Sequence, residues 1–100
     1  KSRIMNLKSL INTEGATIVD VREPGEFRTG HIEGSVNLPL SQLMQQTDQY
    51  RAMSRPLILV CRSGNRSGMV TQFLRARGLE EVYNGGAWDE VNDLVARKAA

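Results

Sequence analysis

The apolar positions of this chain come in short clusters divided by turn residues, and each cluster has its own period. Leu57-Ile58-Leu59-Val60 is an unbroken apolar run, the pattern of a strand buried on both faces. Thr17-Ile18-Val19-Asp20-Val21 is β-branched and apolar around one aspartate, and predicts a second buried strand. Val36-Asn37-Leu38, stopped by Pro39, and Glu81-Val82-Tyr83 predict two shorter strands. Ile4-Met5 reads as the remains of a short edge strand.

Between these runs the spacing becomes helical. Leu7, Leu10 and Ile11 predict a helix over 6–14, closed by Gly15. Pro24 starts a short helix with Glu23 as a poor N-cap, Glu26 in the first turn and Phe27 as the core contact. Gly30 to Ser35 is turn-rich. Ser41 is expected to cap a polar helix carrying Leu43 and Met44, which fades into loop between Gln45 and Arg55. From Ser67 onward, Met69, Val70, Phe73 and Leu74 form one helical face, and Gly78 ends it. Asn84-Gly85-Gly86 is expected as a turn. A last helix over 87–96 then points Trp88, Val91, Leu94 and Val95 inward, and 98–100 should fray.

Strands alternate with helices along the whole chain. The expected fold class is therefore α/β, a mostly parallel central sheet with helices on both faces. In such sheets ligands bind beyond the carboxyl ends of the strands. With 100 residues the chain is expected to be a single domain, residues 1–100, with its core over 5–96.

Composition narrows the function classes. An apolar share of 40% and a charged share of 24% fit a globular domain with a real core. A net charge of +2 gives no reason to invoke nucleic acid, and two tyrosines, two phenylalanines and one tryptophan offer few stacking platforms. No apolar run approaches the ~20 residues of a membrane span. One cysteine and one histidine exclude an internal disulfide and a multi-cysteine or histidine-rich metal site, so no metal is expected. Cysteine poverty and the lack of a visible signal lean toward a cytoplasmic protein. A removed signal, a periplasmic origin and a larger parent protein stay open, because the chain does not begin with Met.

The candidate chemistry sits at the end of the central strand. Cys61 follows Val60 at once, and then come Arg62, Ser63, Gly64, Asn65, Arg66 and Ser67. A thiolate is the nucleophilic form of cysteine, and a helix N-terminus or nearby cations lower the thiol pKa. Free amides at the following helix start, together with Arg62 and Arg66, would supply that positive potential. Gly64 permits a turn that a side chain would obstruct. Loop amides pointing inward would make a nest for a thiolate, an oxyanion or an extra sulfur. A lone cysteine is otherwise a small apolar core residue, but two arginines and a glycine turn do not belong to that role. Asp20 and Arg22 lie at the end of a second strand, where an ion pair bracing the loop is expected. His31 is expected to hold the Gly30–Gly34 turn, since a thiolate activated by its loop needs no base.

These residues, in their order, resemble a known family. Asp20-Val21-Arg22-Glu23, Glu26-Phe27, Gly30-His31-Ile32, Gly34-Ser35, Asn37-Leu38-Pro39, Cys61 through Ser67, Gly85-Gly86 and Trp88 together resemble a single-domain rhodanese, over most of the chain. The resemblance implies a three-layer α/β fold and sulfur transfer through a persulfide on Cys61. The six residues Cys61 to Arg66 would form the loop, with amides around the outer sulfur and the side chains of Arg62, Ser63 and Asn65 at the mouth. It implies a small anionic donor such as thiosulfate, cyanide or a thiol as acceptor, ping-pong kinetics, and no cofactor beyond the covalent persulfide. Arg66 would be a structural clamp and Arg62 a donor contact. A sulfur-donor or thioredoxin-like protein is a further expected partner.

Two other readings compete. Cysteine phosphatases and arsenate reductases also seat a cysteine in an amide cradle ending in arginine. Here four residues separate Cys61 from Arg66, one fewer than in phosphatases, which leaves room for sulfur but crowds a tetrahedral phosphate. The alternative from a different class is a persulfide carrier, loaded by a protein partner and without turnover of its own. With no second cysteine, such a carrier would release its sulfur to an outside thiol.

Overall fold

The computed structural model describes residues 6–96, so the edge strand expected at Ile4-Met5 and the fraying expected over 98–100 lie outside the described residues. In chain order the elements are α1 (Leu7–Ile11), β1 (Thr17–Asp20), α2 (Pro24–Thr29), β2 (Val36–Asn37), α3 (Leu43–Ala52), β3 (Leu57–Cys61), α4 (Asn65–Ala76), β4 (Val82–Ala87) and α5 (Trp88–Leu94), with a 3-10 turn at Leu40–Gln42 before α3. The strands form one sheet in the order β2-β1-β3-β4. Every neighbouring pair is parallel, as the alternation of strands and helices implies.

β3 is central, and all five of its residues are buried. Its alternate side chains build two cores. Leu57, Leu59 and Cys61 pack with Leu43 and Tyr50 of α3 and Val70 and Leu74 of α4. Ile58 and Val60 point the other way, toward Leu10 and Ile11 of α1 and Val91 of α5. A run with no polar break therefore reflects burial on both faces, and the sheet is the middle of three layers.

Several local expectations need correction. α3 gives way to loop after Ala52, within the span expected from Gln45 to Arg55, and is held by buried Leu43 and Tyr50 seven positions apart on one face. Its N-cap is Gln42, and Ser41 instead donates its hydroxyl to Glu23 Oε1 at 2.9 Å. α2 buries no side chain. Phe27 is half-buried and stacks on the His31 ring, centroids 3.7 Å apart. At the N-cap of α2, Glu26 accepts the Glu23 N–H at 3.0 Å, one arm of a capping box.

α4 begins at Asn65, two residues before the expected Ser67, and its buried face is Ser67, Val70, Thr71 and Leu74. Met69 is 59% exposed, so the apolar count misplaced the stripe. Two hydroxyl residues take core positions because their oxygens find partners: Thr71 donates to the Ser67 carbonyl at 2.7 Å, and Ser67 to Asn84 at 2.7 Å.

The expected turn at Asn84-Gly85-Gly86 is strand instead, with a bulge. Leu59 pairs with Asn84 but Val60 pairs with Gly86, which leaves Gly85 as the extra residue. A Cβ on Gly85 would lie 2.8 Å from Ile58 Cγ2 and 3.1 Å from the Leu59 carbonyl oxygen. Nothing but glycine fits between these two strands. Gly85→Ala is therefore expected to lower unfolding free energy by about 1–3 kcal/mol, the usual range for overpacking. A urea melt of the variant that overlays the parent curve would show that the strands part more easily than this packing implies.

Candidate active site

Cys61 ends β3 at the carboxyl edge of the sheet and is 1% exposed. Its thiol is met by the chain that follows. Gly64 N–H donates to Sγ at 3.0 Å and Ser67 N–H at 3.4 Å, and the Ser67 hydroxyl lies 3.3 Å away. The turn that aims these groups depends on Gly64, the N-cap of α4, which has φ 98°. That left-handed conformation costs an ordinary residue roughly 1–2 kcal/mol, and a Cβ there would also come within 3.3 Å of Gly86 Cα.

The competition at sulfur can be ordered. Burial is the largest single influence and pushes the Cys61 thiol up. Hydrogen bonds from the Ser67 hydroxyl and from the amides of Ser67, Ser63 and Gly64 together outweigh it, and the net shift is downward. The anion is thus held mainly by neutral dipoles. This changes the part expected of the arginines. Arg66 turns away from the thiol and forms a two-pronged pair with Glu26 of α2, at 2.8 and 3.0 Å. It reaches Cys61 only through its field, as one of the smaller influences on the guanidinium. Arg62, Ser63 and Asn65 are exposed, and among the described residues no ion pair engages Arg62.

Asp20 and Arg22 form a closed ion pair at the end of β1, 2.7 Å between Nη2 and Oδ2, with side chains 0% and 5% exposed. Arg22 also donates to the Gly30 carbonyl at 2.7 Å and lies over the Trp88 ring, 4.7 Å from its centroid. The pair ties β1 to the end of α2 and the start of α5; its hydrogen bonds do not run to the cysteine loop. His31 Nδ1 lies 2.7 Å from the Phe27 carbonyl, which makes that nitrogen the donor, so the ring anchors to α2 and not to sulfur.

Asn84 escaped the sequence reading. From β4 its Nδ2 donates to the Gly64 carbonyl at 3.1 Å, and its Oδ1 accepts from Ser67 Oγ at 2.7 Å and from Gly86 N–H at 3.1 Å. Gly68 makes room for it, since a Cβ there would stand 3.1 Å from Nδ2. The only sequence signal was a polar residue beside a glycine pair, which reads as turn chemistry.

A cleft of about 280 Å³ opens beside the loop, lined by Arg22, Glu26, Thr29, Arg62, Trp88 and Asp89. A larger cleft of about 500 Å³ lies at the amino ends of β3 and β4. Two of its lining residues, Arg51 and Arg55, already donate to backbone carbonyls there, and it is remote from the thiol.

A parallel sheet with a cysteine at a strand end, facing the amides of a helix start, defines an α/β domain with a cradled cysteine. The chain matches the model of the Rhodanese-like domain over residues 5–91, and it belongs to that family. It is 35% identical to a protein named thiosulfate sulfurtransferase GlpE from Shewanella oneidensis, covering 89% of this chain and 91% of that one. It is 48% identical to the uncharacterised protein YqhL of Bacillus subtilis over 69% of this chain, but spans only 54% of that protein's length. Among solved structures, a human single-domain sulfurtransferase superposes with a TM-score of 0.64 at 28% identity, covering 84% of this chain and 87% of that one. An E. coli rhodanese solved with anions gives 0.67 at 24% identity, covering 75% and 89%, which speaks for the fold alone. Sulfurtransfer is thus an activity named for relatives within this family.

The Arg66–Glu26 pair has a pH signature. The Arg66 guanidinium first, and the Glu23 amide second, hold the Glu26 carboxyl at about 2 against an ordinary 4.5. A lowered carboxyl pKa means the unfolded chain binds the proton more readily. The pair then stabilises the fold fully above pH 4.5, and that contribution fades as pH falls through about 2. With both side chains about one-third exposed, its size is about 0.2–1 kcal/mol. Urea unfolding of Glu26→Gln beside the parent should show a gap that is constant at neutral pH and closes in acid. A gap independent of pH would contradict it.

Proposed function

We propose that the protein is a sulfurtransferase that carries sulfane sulfur as a persulfide on Cys61. The observation that carries this reading is the pair of amides converging on a buried Sγ, Gly64 at 3.0 Å and Ser67 at 3.4 Å, with the Ser67 hydroxyl 3.3 Å away. Such a cradle lowers the thiol pKa and suits an anion one sulfur atom larger.

In the first half-reaction the Cys61 thiolate attacks the outer sulfur of a donor such as thiosulfate. The Sγ–S bond forms, the donor's S–S bond breaks, and its electron pair departs with sulfite. In the second, cyanide or a cellular thiolate attacks the outer sulfur. The Sγ–S bond breaks and its electron pair returns to Sγ, regenerating the thiolate. One covalent intermediate shared by two half-reactions gives ping-pong kinetics. Arg62, exposed on the rim of the smaller cleft, is placed to attract an anionic donor. Arg66 acts as a clamp, since its guanidinium is taken up by Glu26. The same engagement speaks against the phosphatase reading, which needs that guanidinium on a phosphate.

Intact-protein mass spectrometry after incubation with thiosulfate tests the proposal. The parent should gain one sulfur atom, lose it to cyanide with formation of thiocyanate, and Cys61→Ser should gain none. Loading only from a cysteine desulfurase would mark a carrier that depends on a protein partner. No loading from either source, in a folded sample, would overturn the persulfide mechanism.

A further inference from the structure

The hydrogen-bond arithmetic around Ser67 does not close for a thiolate. The Asn84 amide is oriented without ambiguity. Its Nδ2 faces the Gly64 carbonyl, which only accepts, and its Oδ1 faces the Gly86 N–H, which only donates. The 2.7 Å bond between Ser67 Oγ and Asn84 Oδ1 must therefore use the Ser67 proton. A hydroxyl has one proton, so in this arrangement the 3.3 Å contact with sulfur can only be Cys61 S–H donating to Ser67 Oγ. Once Cys61 ionises, Sγ becomes an acceptor, and the one hydroxyl proton in reach is the one given to Asn84.

We propose that the Ser67 hydroxyl is a rotor shared between Cys61 and Asn84, and that Asn84 is a positioning residue that limits how strongly the sulfur anion is held. With a thiol, the chain of donation runs Cys61 to Ser67 to Asn84. With a thiolate or persulfide, the Ser67 proton swings to sulfur, and Asn84 Oδ1 keeps only the Gly86 amide. Ser67 thus stabilises the anion by the difference between two hydrogen bonds, not by a whole one. An over-stabilised thiolate is a weaker nucleophile and a better leaving group, so this restraint sets the balance between taking sulfur and releasing it. That consequence rests on the function proposed above; the rotor itself does not.

The charged groups around the sulfur leave the test clean. They are Arg66 on α4 with its partner Glu26 on α2, exposed Arg62 in the loop, and the closed Asp20–Arg22 pair at the end of β1. On β4 the titratable side chain is Tyr83, which packs in the core on the opposite face. None of them is altered by the substitutions below.

Cys61 is the chain's one thiol, so ultraviolet thiolate absorbance and the pH dependence of alkylation by iodoacetamide report on it alone. Ser67→Ala should raise the thiol pKa. Asn84→Ala should lower it, changing the thiol–thiolate ratio by about two- to tenfold, the span of one net hydrogen bond. With Ser67→Ala already present, Asn84→Ala should do nothing more. Asn84→Asp, a stronger acceptor for the same proton, should raise the pKa, by more with Ser67 present than without it.

Both Asn84 variants lose the donor to Gly64, so a residue that merely clasps the loop would shift them in the same direction. Same-sign shifts, no shift in Asn84→Ala, or an equal shift in the Ser67→Ala background would each overturn the rotor. Should Asn84→Ala fail to fold, the aspartate variant with and without Ser67 decides alone, and equal shifts there overturn it. The titration needs no sulfur donor, so failure of the sulfurtransferase reading and failure of the rotor are separate results.

Discussion

The structure depends on one hydrogen bond, from the Gly64 amide to the sulfur of Cys61 at 3.0 Å. A thiol this deeply buried would by itself resist ionisation, because burial favours the neutral form. Together with the Ser67 hydroxyl and the Ser67 and Ser63 amides, the bond reverses that, and only because the chain turns back within three residues, which needs a left-handed residue at 64. Gly64 supplies it and opens α4 at the same point, so the backbone geometry that shapes the helix start also aims the amide. Sequence, turn and electrostatics are here a single constraint.

Keeping the turn in place falls to neighbours on separate elements. β4 holds it through Asn84, which reaches both the Gly64 carbonyl and the Ser67 hydroxyl. α2 holds it through the Glu26–Arg66 pair. The β4 contact depends in turn on the bulge at Gly85, which keeps Asn84 in register with Leu59 and brings Gly86 opposite Val60. The amides of this cradle, fixed from two sides, need no reorganisation when charge arrives and only the Ser67 hydroxyl turns, which is the condition for electrostatic stabilisation to count.

Much of this was legible in the residue order. Strand identity came from β-branched runs, the parallel sheet from strict alternation, and the site from a cysteine at a strand end before a glycine turn. Failures cluster where a polar side chain takes a buried place. Ser67 and Thr71 occupy the core stripe of α4 and displace Met69, because satisfied hydroxyls are as admissible there as methylenes, and a count of apolar residues cannot see their partners. Asn84-Gly85-Gly86 reads locally as a turn; only the neighbouring β3 shows it to be a bulged strand. Charge alone assigns both arginines to the thiol; the resemblance makes Arg66 a clamp, and its guanidinium pairs with a carboxylate forty positions away, a partner that no local pattern names.

Trp88 carries one further consequence. It is the chain's single tryptophan, its ring lies under the Arg22 guanidinium, and it lines the smaller cleft together with Arg62. Indole emission is sensitive to nearby charge and to water, and here it arises from one place, the rim of the site. The molecule therefore has a built-in optical reporter at the entrance to its cysteine loop. A charged ligand entering this cleft would change that emission, in real time and without a label, separately from any chemistry at sulfur.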